Sequence, residues 1–350
     1  MPVMRRRKEG HMRLLIKLPC LMFIVLLLGG FTQPLDNLQT ITYVGWNPTG
    51  EQIVTGHRGL IAFWDVPSGE QVTTIDIMNP YAPTQPLGVK AVAWHPDSSK
   101  LAVGTSQMDP IGLILILDSQ TGEVLGTLSN QNGVPDLDWS PDGKRLVSAA
   151  PELFGFPGED AAIVWDTETY TEVGRIDGEL LEGVSTVDWH PTENWVATGG
   201  GLDDNAYVWD VDTGEMLTTL SGYQGFVNVV AWHPDGSTIA TGSDDGTLGL
   251  WTSSVGQLLN SFNLSDRAIR DADWSPDGDK LAFVGLQQGY IIDMTTSAAS
   301  EAFDGREIIT WNPDGSALAT LGNNGADADS VAIYDAAGNL ISTIIPGESD

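Results

Sequence analysis

The sequence predicts an all-β fold: a ring of seven like units, each a four-stranded antiparallel sheet, which is the architecture of a seven-bladed β-propeller. Three observations carry this: one segment recurs seven times, its spacing suits four short strands, and each copy divides into apolar runs separated by turn residues.

The recurring segments are VGWNPTG, VAWHPDS, LDWSPDG, VDWHPTE, VAWHPDG, ADWSPDG and ITWNPDG, which place Trp46, Trp94, Trp139, Trp189, Trp232, Trp274 and Trp311 in register. The intervals are 48, 45, 50, 43, 42 and 37 residues, more than a leucine-rich or ankyrin unit needs.

Inside the fifth unit VNVVAW reads as a first strand, STIATGS as a second, LGLW as a third and QLLNSF as a fourth, with HPDG and DDGT as turns. Pro, Asp and Gly in succession suit a type I turn closed by a left-handed residue. The residue two before each tryptophan is Val44, Val92, Leu137, Val187, Val230, Ala272 or Ile309, so it shares the face of the ring at period two. A tryptophan wedged between blades removes about 200 Å² from water, worth roughly 5 kcal/mol before the compactness of the unfolded chain is counted. All seven are therefore expected to be buried between blades, as the structural anchors of the ring.

The third strands end in Trp64-Asp65, Trp165-Asp166 and Trp209-Asp210, with Trp251-Thr252, Leu117-Asp118, Ile292-Asp293 and Tyr334-Asp335 as variants. On these residues the chain resembles the WD-repeat family over residues 41 to 345, read as a bacterial-type, exported form. The resemblance implies a propeller that serves as an interaction platform and seldom as an enzyme. It also implies a network joining a Gly-His pair ahead of the first strand to a Ser or Thr, an Asp and the third-strand Trp. Ser243, Asp245 and Trp251 match three of those roles, but Gly222-Tyr223 stands where Gly-His is expected. Gly56-His57 lies between second and third strands, outside that place, so stability is expected to rest on tryptophan packing and turn chemistry.

The N-terminal segment reads differently. Arg5, Arg6, Arg7, Lys8, Arg13 and Lys17 precede fourteen uncharged residues, LPCLMFIVLLLGGF, and then a polar TQPLDN. That layout is a secretory signal, or an uncleaved anchor over residues 14 to 31. The domains are thus 1–37 signal or anchor plus linker, 38–346 propeller and 347–350 tail. The first and seventh units each hold four strands of their own, so their blades are expected to meet by face packing, and that seam to be the weakest. Residues 31 to 37 are expected to be a linker.

The formal charge is −31, and the first seventeen residues carry +5, so the remainder carries −36. Such a field repels nucleic-acid phosphates and anionic lipid, which argues against either as a partner of the folded part. It otherwise reads as solubility or a salty habitat. Cys20 is the lone cysteine, so the propeller has neither disulfide nor thiolate metal site.

His95, His190 and His233 each follow a ring tryptophan, where other units carry Asn47, Ser140, Ser275 and Asn312. That is the polar set favoured at the first position of a type I turn, so they read as turn caps and not metal ligands. Asp136, Asp138, Asp188, Asp271 and Asp273 lie on first strands near the axis and read as backbone hydrogen-bond acceptors or, alternatively, a divalent-cation site. No nucleophile motif appears, and no catalytic, cofactor or metal residue is assigned.

The enlarged connections 76–88, 150–161 and 221–226 offer Tyr81, Phe154, Phe156, Tyr223 and Phe226 as candidate partner-binding aromatics on one face. The expectation is a monomeric, non-catalytic scaffold for protein partners, outside the cytoplasm or at a membrane surface. The alternatives are a small-ligand or glycan binder, then a hydrolase or lyase with a channel-mouth site.

Overall fold

The structure, a computed structural model, describes residues 40–106, 112–129, 133–150, 162–176, 183–200, 203–263, 268–300, 302–322 and 330–345. The segment read as signal or anchor lies outside these residues, as do Phe154, Phe156 and the tail. Among the described residues there is no helix.

Seven sheets follow one another in sequence, each with its strands in chain order. Blade 1 runs from Tyr43–Trp46 to Gln71–Asp76, blade 2 from Val89–Trp94 to Val124–Ser129, and blade 3 from Leu137–Trp139 to Thr171–Ile176. Blade 4 runs from Thr186–Trp189 to Met216–Leu220, blade 5 from Val227–Trp232 to Leu258–Asn263, and blade 7 from Arg306–Trp311 to Leu340–Ile344. Blade 6 opens with Asp271–Trp274 and differs at its rim, where the fourth strand is split into Ala298–Ala299 and Phe303–Asp304, both against Gln288–Asp293. A further hairpin, Met78–Asn79 with Ala82–Pro86, projects between blades 1 and 2.

Each first strand touches the next, and that of blade 7 touches that of blade 1, so the seven first strands line a closed channel. Chain direction then defines two ends. First strands run toward their tryptophans, so the turns after them lie at one end, the turn end. The second-to-third and fourth-to-first connections lie at the other, the loop end.

Apolar burial follows the expected register. Trp46, Trp139, Trp189, Trp232, Trp274 and Trp311 are buried, while Trp94 is only half-buried. Third-strand Trp64, Trp165, Trp209 and Trp251 are buried too, and their indoles donate to Thr55, Ser148, Thr198 and Thr241 on the neighbouring second strand at 2.8–2.9 Å. The network expected through Ser243 is thus corrected. Trp251 bonds Thr241 and the Tyr223 hydroxyl, Tyr223 also bonds Thr241, and Ser243 donates to Gly225 O instead. In blade 1, His57 reaches Thr55, two residues before it, at 2.8 Å, giving a His–Thr–Trp chain although Gly56-His57 stands outside the place where the sequence pattern expects the pair.

Three devices join the blades. The first is the ring indole: Trp46, Trp139, Trp232, Trp274 and Trp311 donate to the carbonyls of Thr310, Ala93, Asp188, Ala231 and Asp273 in the preceding blade at 3.1–3.2 Å. The second is a staple from the residue after the tryptophan. His95, His190, His233 and Asn312 reach the carbonyls of Gly143, Gly236, Gly278 and Gly50 in the next blade's turn at 3.1–3.2 Å. In His190 the other ring nitrogen accepts from Thr192 N and Glu193 N, so it caps its own turn as the sequence suggested and fixes the tautomer that donates across the seam.

The stapled turn must carry glycine for two reasons. Its φ is +70 to +76°, and a Cβ on Gly143, Gly236 or Gly278 would meet the incoming imidazole at 2.1–2.4 Å. Blade 2 has Ser98 at this position (φ 65°), and correspondingly Asn47 of blade 1 folds back to accept from Gln52 N in its own turn.

The third device is the channel carboxylate described below. The blade 7–1 seam has both indole and staple, so it is not the weakest by these criteria. Among the described residues the blade 1–2 seam has none of the three. It is held at the loop end, where Thr42 donates to Val89 O and Val89 N to His57 O, and is open at the turn end.

Candidate functional site

Counting back from each ring tryptophan, the residues one and three before it face the channel. In blades 3, 4 and 6 these include Asp138 and Asp136, Asp188, and Asp273 and Asp271; other blades place Gly45, Ala93, Ala231 or Thr310 at the nearer position. Each carboxylate reaches across a seam. Asp136 accepts from Val187 N (2.9 Å), Asp138 from Trp189 N (2.8 Å), Asp188 from Trp232 N (2.5 Å), Asp271 from Ile309 N (2.9 Å) and Asp273 from Trp311 N (2.7 Å). The second oxygen of Asp136, Asp138 and Asp271 accepts the next N–H of its own strand at 2.8–2.9 Å. One side chain thus supplies the acceptor that two neighbouring, unpaired strands would otherwise lack.

Crowding five acids into one channel disfavours their ionised form. Burial pushes Asp136 up to about 7 and Asp273 up to about 6, against the backbone N–H bonds that pull them down. Burial likewise raises Asp138, Asp188 and Asp271, with the charges of Asp138 and Asp136 adding at Asp188. Burial, with Asp271, Asp136 and Asp273 nearby, raises the Tyr43 phenol as well. Perturbed acids in a channel are a functional signal in general. Here every one has a cross-seam hydrogen bond that accounts for its position, and among the described residues no group of His, Cys, Asp or Glu is arranged to hold a metal ion.

At the loop end the channel opens through a pocket of about 200 Å³. Its rim comes from the residue four before each ring tryptophan, including Lys90, Ser185, Asn228, Arg270 and Glu307. Arg270 pairs with Asp244 at 3.0 Å, and Asn228 donates to the same carboxylate oxygen at 2.7 Å and to Ile269 O at 2.9 Å. Sequence reasoning missed this rim. Aligning the units one position further upstream of the aspartates would have found it.

The projecting hairpin is the other feature of the loop end. Ile77 and Leu87 at its base are fully buried, and Gly59 in the second-to-third turn of blade 1 bonds both, through its carbonyl to Ile77 N and its N–H to Leu87 O, each at 2.7 Å. Asn79 caps the tip by accepting from Tyr81 N (2.9 Å), and the Tyr81 side chain stands 72% exposed. Phe226, at the approach to blade 5, is 42% exposed at the same end. Tyr223 is a correction to the candidate set: it is buried against Trp251, its hydroxyl is taken by Thr241 and Trp251, and burial raises its phenol to about 12. An aromatic so placed braces the blade and offers nothing to a partner. The structure thus brings Tyr81 and Phe226 to one end of the ring, on blades far apart.

Comparison with known proteins agrees with this architecture. The family model described as WD domain, G-beta repeat matches residues 122–152, 171–210 and 214–252. Protein HIR1 of Cryptococcus neoformans is 26% identical over 258 residues, covering 64% of this chain but only 29% of that protein's length. The guanine nucleotide-binding protein subunit beta of Zea mays is 25% identical over 305 residues, 79% of this chain and 76% of its own. The serine-threonine kinase receptor-associated protein of Gallus gallus is 27% identical over 55% of this chain and 61% of its own. The solved structure of U3-55K superposes with a TM-score of 0.72 over 84% of this chain and 95% of that one, and at 18% identity it speaks for the fold alone. Three stretches between residues 122 and 252 match the WD40 repeat model, and the described residues fold into a seven-bladed β-propeller, the fold shared with U3-55K.

Proposed function

We propose that this protein binds protein partners on its loop end, outside the cytoplasm or at a membrane surface. The observation that carries the reading is Tyr81, exposed at the tip of a hairpin whose base is fully buried. An aromatic on a rigid mount gives up little conformational entropy on binding and is the residue class that dominates interface energy. Phe226 adds a second aromatic at that end, and the connections that vary most between blades open there too. The channel acids are consumed in joining blades, which leaves them a structural role. The placement outside the cytoplasm rests on the basic residues and apolar run at the N-terminus.

Site-specific photocrosslinking in the full chain tests the reading. Crosslinkers at Tyr81 and Phe226 are expected to trap the same protein, and one at Thr213, exposed on the turn end, is not. Equal capture from Thr213, or none from the loop end, overturns it. Protease accessibility in intact cells and after selective permeabilisation of any outer membrane tests the extracellular or periplasmic location separately, and complete protection in both overturns export.

A further inference from the structure

The open turn end of the blade 1–2 seam is a cavity of about 270 Å³. Its origin is local. Where a seam is stapled by histidine, the imidazole sits against the next blade's tryptophan, with ring centroids 4.8 Å apart for His95–Trp139, 4.5 Å for His190–Trp232 and 4.7 Å for His233–Trp274. Asn47 instead bonds within its own turn, and the Cβ of Ser98 occupies the space that glycine leaves for a staple elsewhere. Trp94 consequently has no imidazole over it, only the edge of Phe63 at 6.3 Å, and it alone among the ring tryptophans is half-exposed.

The lining is unusual for this chain. Of 350 residues 47 are acidic, yet every side chain lining the cavity is uncharged: threonines, serines, asparagine and glutamines around Trp94, Phe63, Ile75 and Pro48. An ion entering there would shed water without gaining a counter-charge, so the lining selects a neutral ligand. The Thr73 and Ser98 hydroxyls and the Gln120 amide make no side-chain hydrogen bond to a described residue, nor does the Trp94 indole N–H; Thr73, two residues before Ile75, shares its face of the strand toward blade 2. These residues line a space that also holds the aromatic rings of Trp94 and Phe63. The volume lies just under the roughly 300 Å³ at which pockets for larger small molecules begin.

We propose that this cavity binds a neutral pyranose, one ring of a glycan, with a C–H face of the sugar on Trp94 and its hydroxyls bonded to Thr73, Ser98 and Gln120. A pyranose supplies what the lining asks for: an apolar face beside a rim of hydroxyls that both donate and accept, and no charge. The site lies at the opposite end of the ring from Tyr81, so it is independent of the proposed protein-binding surface.

The test is calorimetric titration and saturation-transfer NMR of the full chain with the methyl glycosides of glucose, galactose, mannose and N-acetylglucosamine. At least one is expected to bind saturably with a Kd on the order of 1–10 mM, the range for a ligand of about a dozen heavy atoms. Gln120→Ala and Thr73→Val, both at exposed positions, are each expected to weaken it about 2- to 10-fold. Asn47→His with Ser98→Gly, which rebuilds the staple over Trp94, is expected to abolish binding in a protein that still folds. Tyr81→Ala is expected to leave it unchanged. Absence of saturable binding by all four glycosides overturns the proposal, as does binding that survives the rebuilt staple or ignores both single substitutions.

Discussion

The blade 4–5 and blade 1–2 seams are made from the same strands in the same order, yet they are held in opposite ways. At the first, Asp188 accepts from Trp232 N, the Trp232 indole donates to Asp188 O, and His190 staples to Gly236. At the second, Gly45 stands in the place of Asp188, Trp94 makes no indole bond, and Asn47 turns inward. The repeat guarantees strands and a tryptophan in every unit. It does not guarantee the joints, which depend on three positions drawn from two different blades: the residues on either side of one tryptophan and the turn residue of the next unit.

The largest expected effect comes from breaking the tighter seam. His190→Ala removes a buried ring that touches Trp195 and Trp232, two acceptor bonds within its turn and the staple, and is expected to cost about 3 kcal/mol. Asn47→Ala loses the turn bond from Gln52 N and a long 3.5 Å bond to the Gln52 side chain, and is expected to cost about 1 kcal/mol. Urea denaturation checks both, and equal losses would erase the distinction between the seams.

A second contrast isolates the staple from backbone strain. Gly236 and Gly315 share φ = +73°, so alanine at either position incurs the left-handed penalty of roughly 1–2 kcal/mol. At Gly236 the new methyl would also meet His190 at 2.4 Å, whereas at Gly315 its nearest neighbour is Pro276 at 3.6 Å. Gly236→Ala is therefore expected to be worse by about 1 kcal/mol or more. A difference near zero would mean that the imidazole yields freely.

Aspartate offers the same lesson in charge. In the turns, hydroxyl and backbone N–H bonds lower the carboxyls: Ser99 holds Asp97 at about 2, and Thr295 with Thr296 holds Asp293 at about 2. A lowered acid adds stability above its unfolded value that is lost only as pH falls toward 2. Channel acids work in the other sense. With Asp136 near 7 and Asp273 near 6, the folded state binds more protons than the unfolded one from about pH 4 upward, so each loses stability as pH rises through that window. His57, held down to about 4 by burial, and His190, also lowered by burial, oppose this only below their unfolded value of 6.5. Between pH 6.5 and 8 the acids act alone, and Tm is expected to fall across that interval. A Tm that holds or climbs there contradicts the raised channel acids.

Much of this was legible in the sequence because it depends on one unit at a time. The tryptophan register, the PDG turns and the aspartates near the axis could be placed by period and turn chemistry alone. What depended on two units was not. His190 could be read as a turn cap, but its staple requires the next blade's Gly236 to be in reach. Tyr223 looked like a surface aromatic because its partners, Thr241 and Trp251, lie on two strands further along the chain. The exposure of Trp94 is set by Asn47 and Ser98, which no local pattern connects.

The smallest effect sharpens the comparison most. If the blade 1–2 seam is open only because two residues withhold the staple, restoring them should close it: Asn47→His supplies the imidazole, and Ser98→Gly clears its path and relieves a non-glycine residue at φ = 65°. Neither change should suffice alone. Histidine facing Ser98 lacks the space that Gly143, Gly236 and Gly278 provide, and glycine facing Asn47 gains only backbone ease at some entropic cost. The pair is expected to stabilise the protein by about 1 kcal/mol beyond the sum of the singles, a coupling of the size found for residues in contact. Hydrogen exchange supplies the spatial readout. In the parent chain the amides of Tyr43–Trp46 and Val89–Trp94 near their tryptophans are expected to exchange before their counterparts in blades 4 and 5, and in the double variant that difference should vanish. Additive singles with unchanged exchange at the seam would show that something other than the missing staple holds the two blades apart.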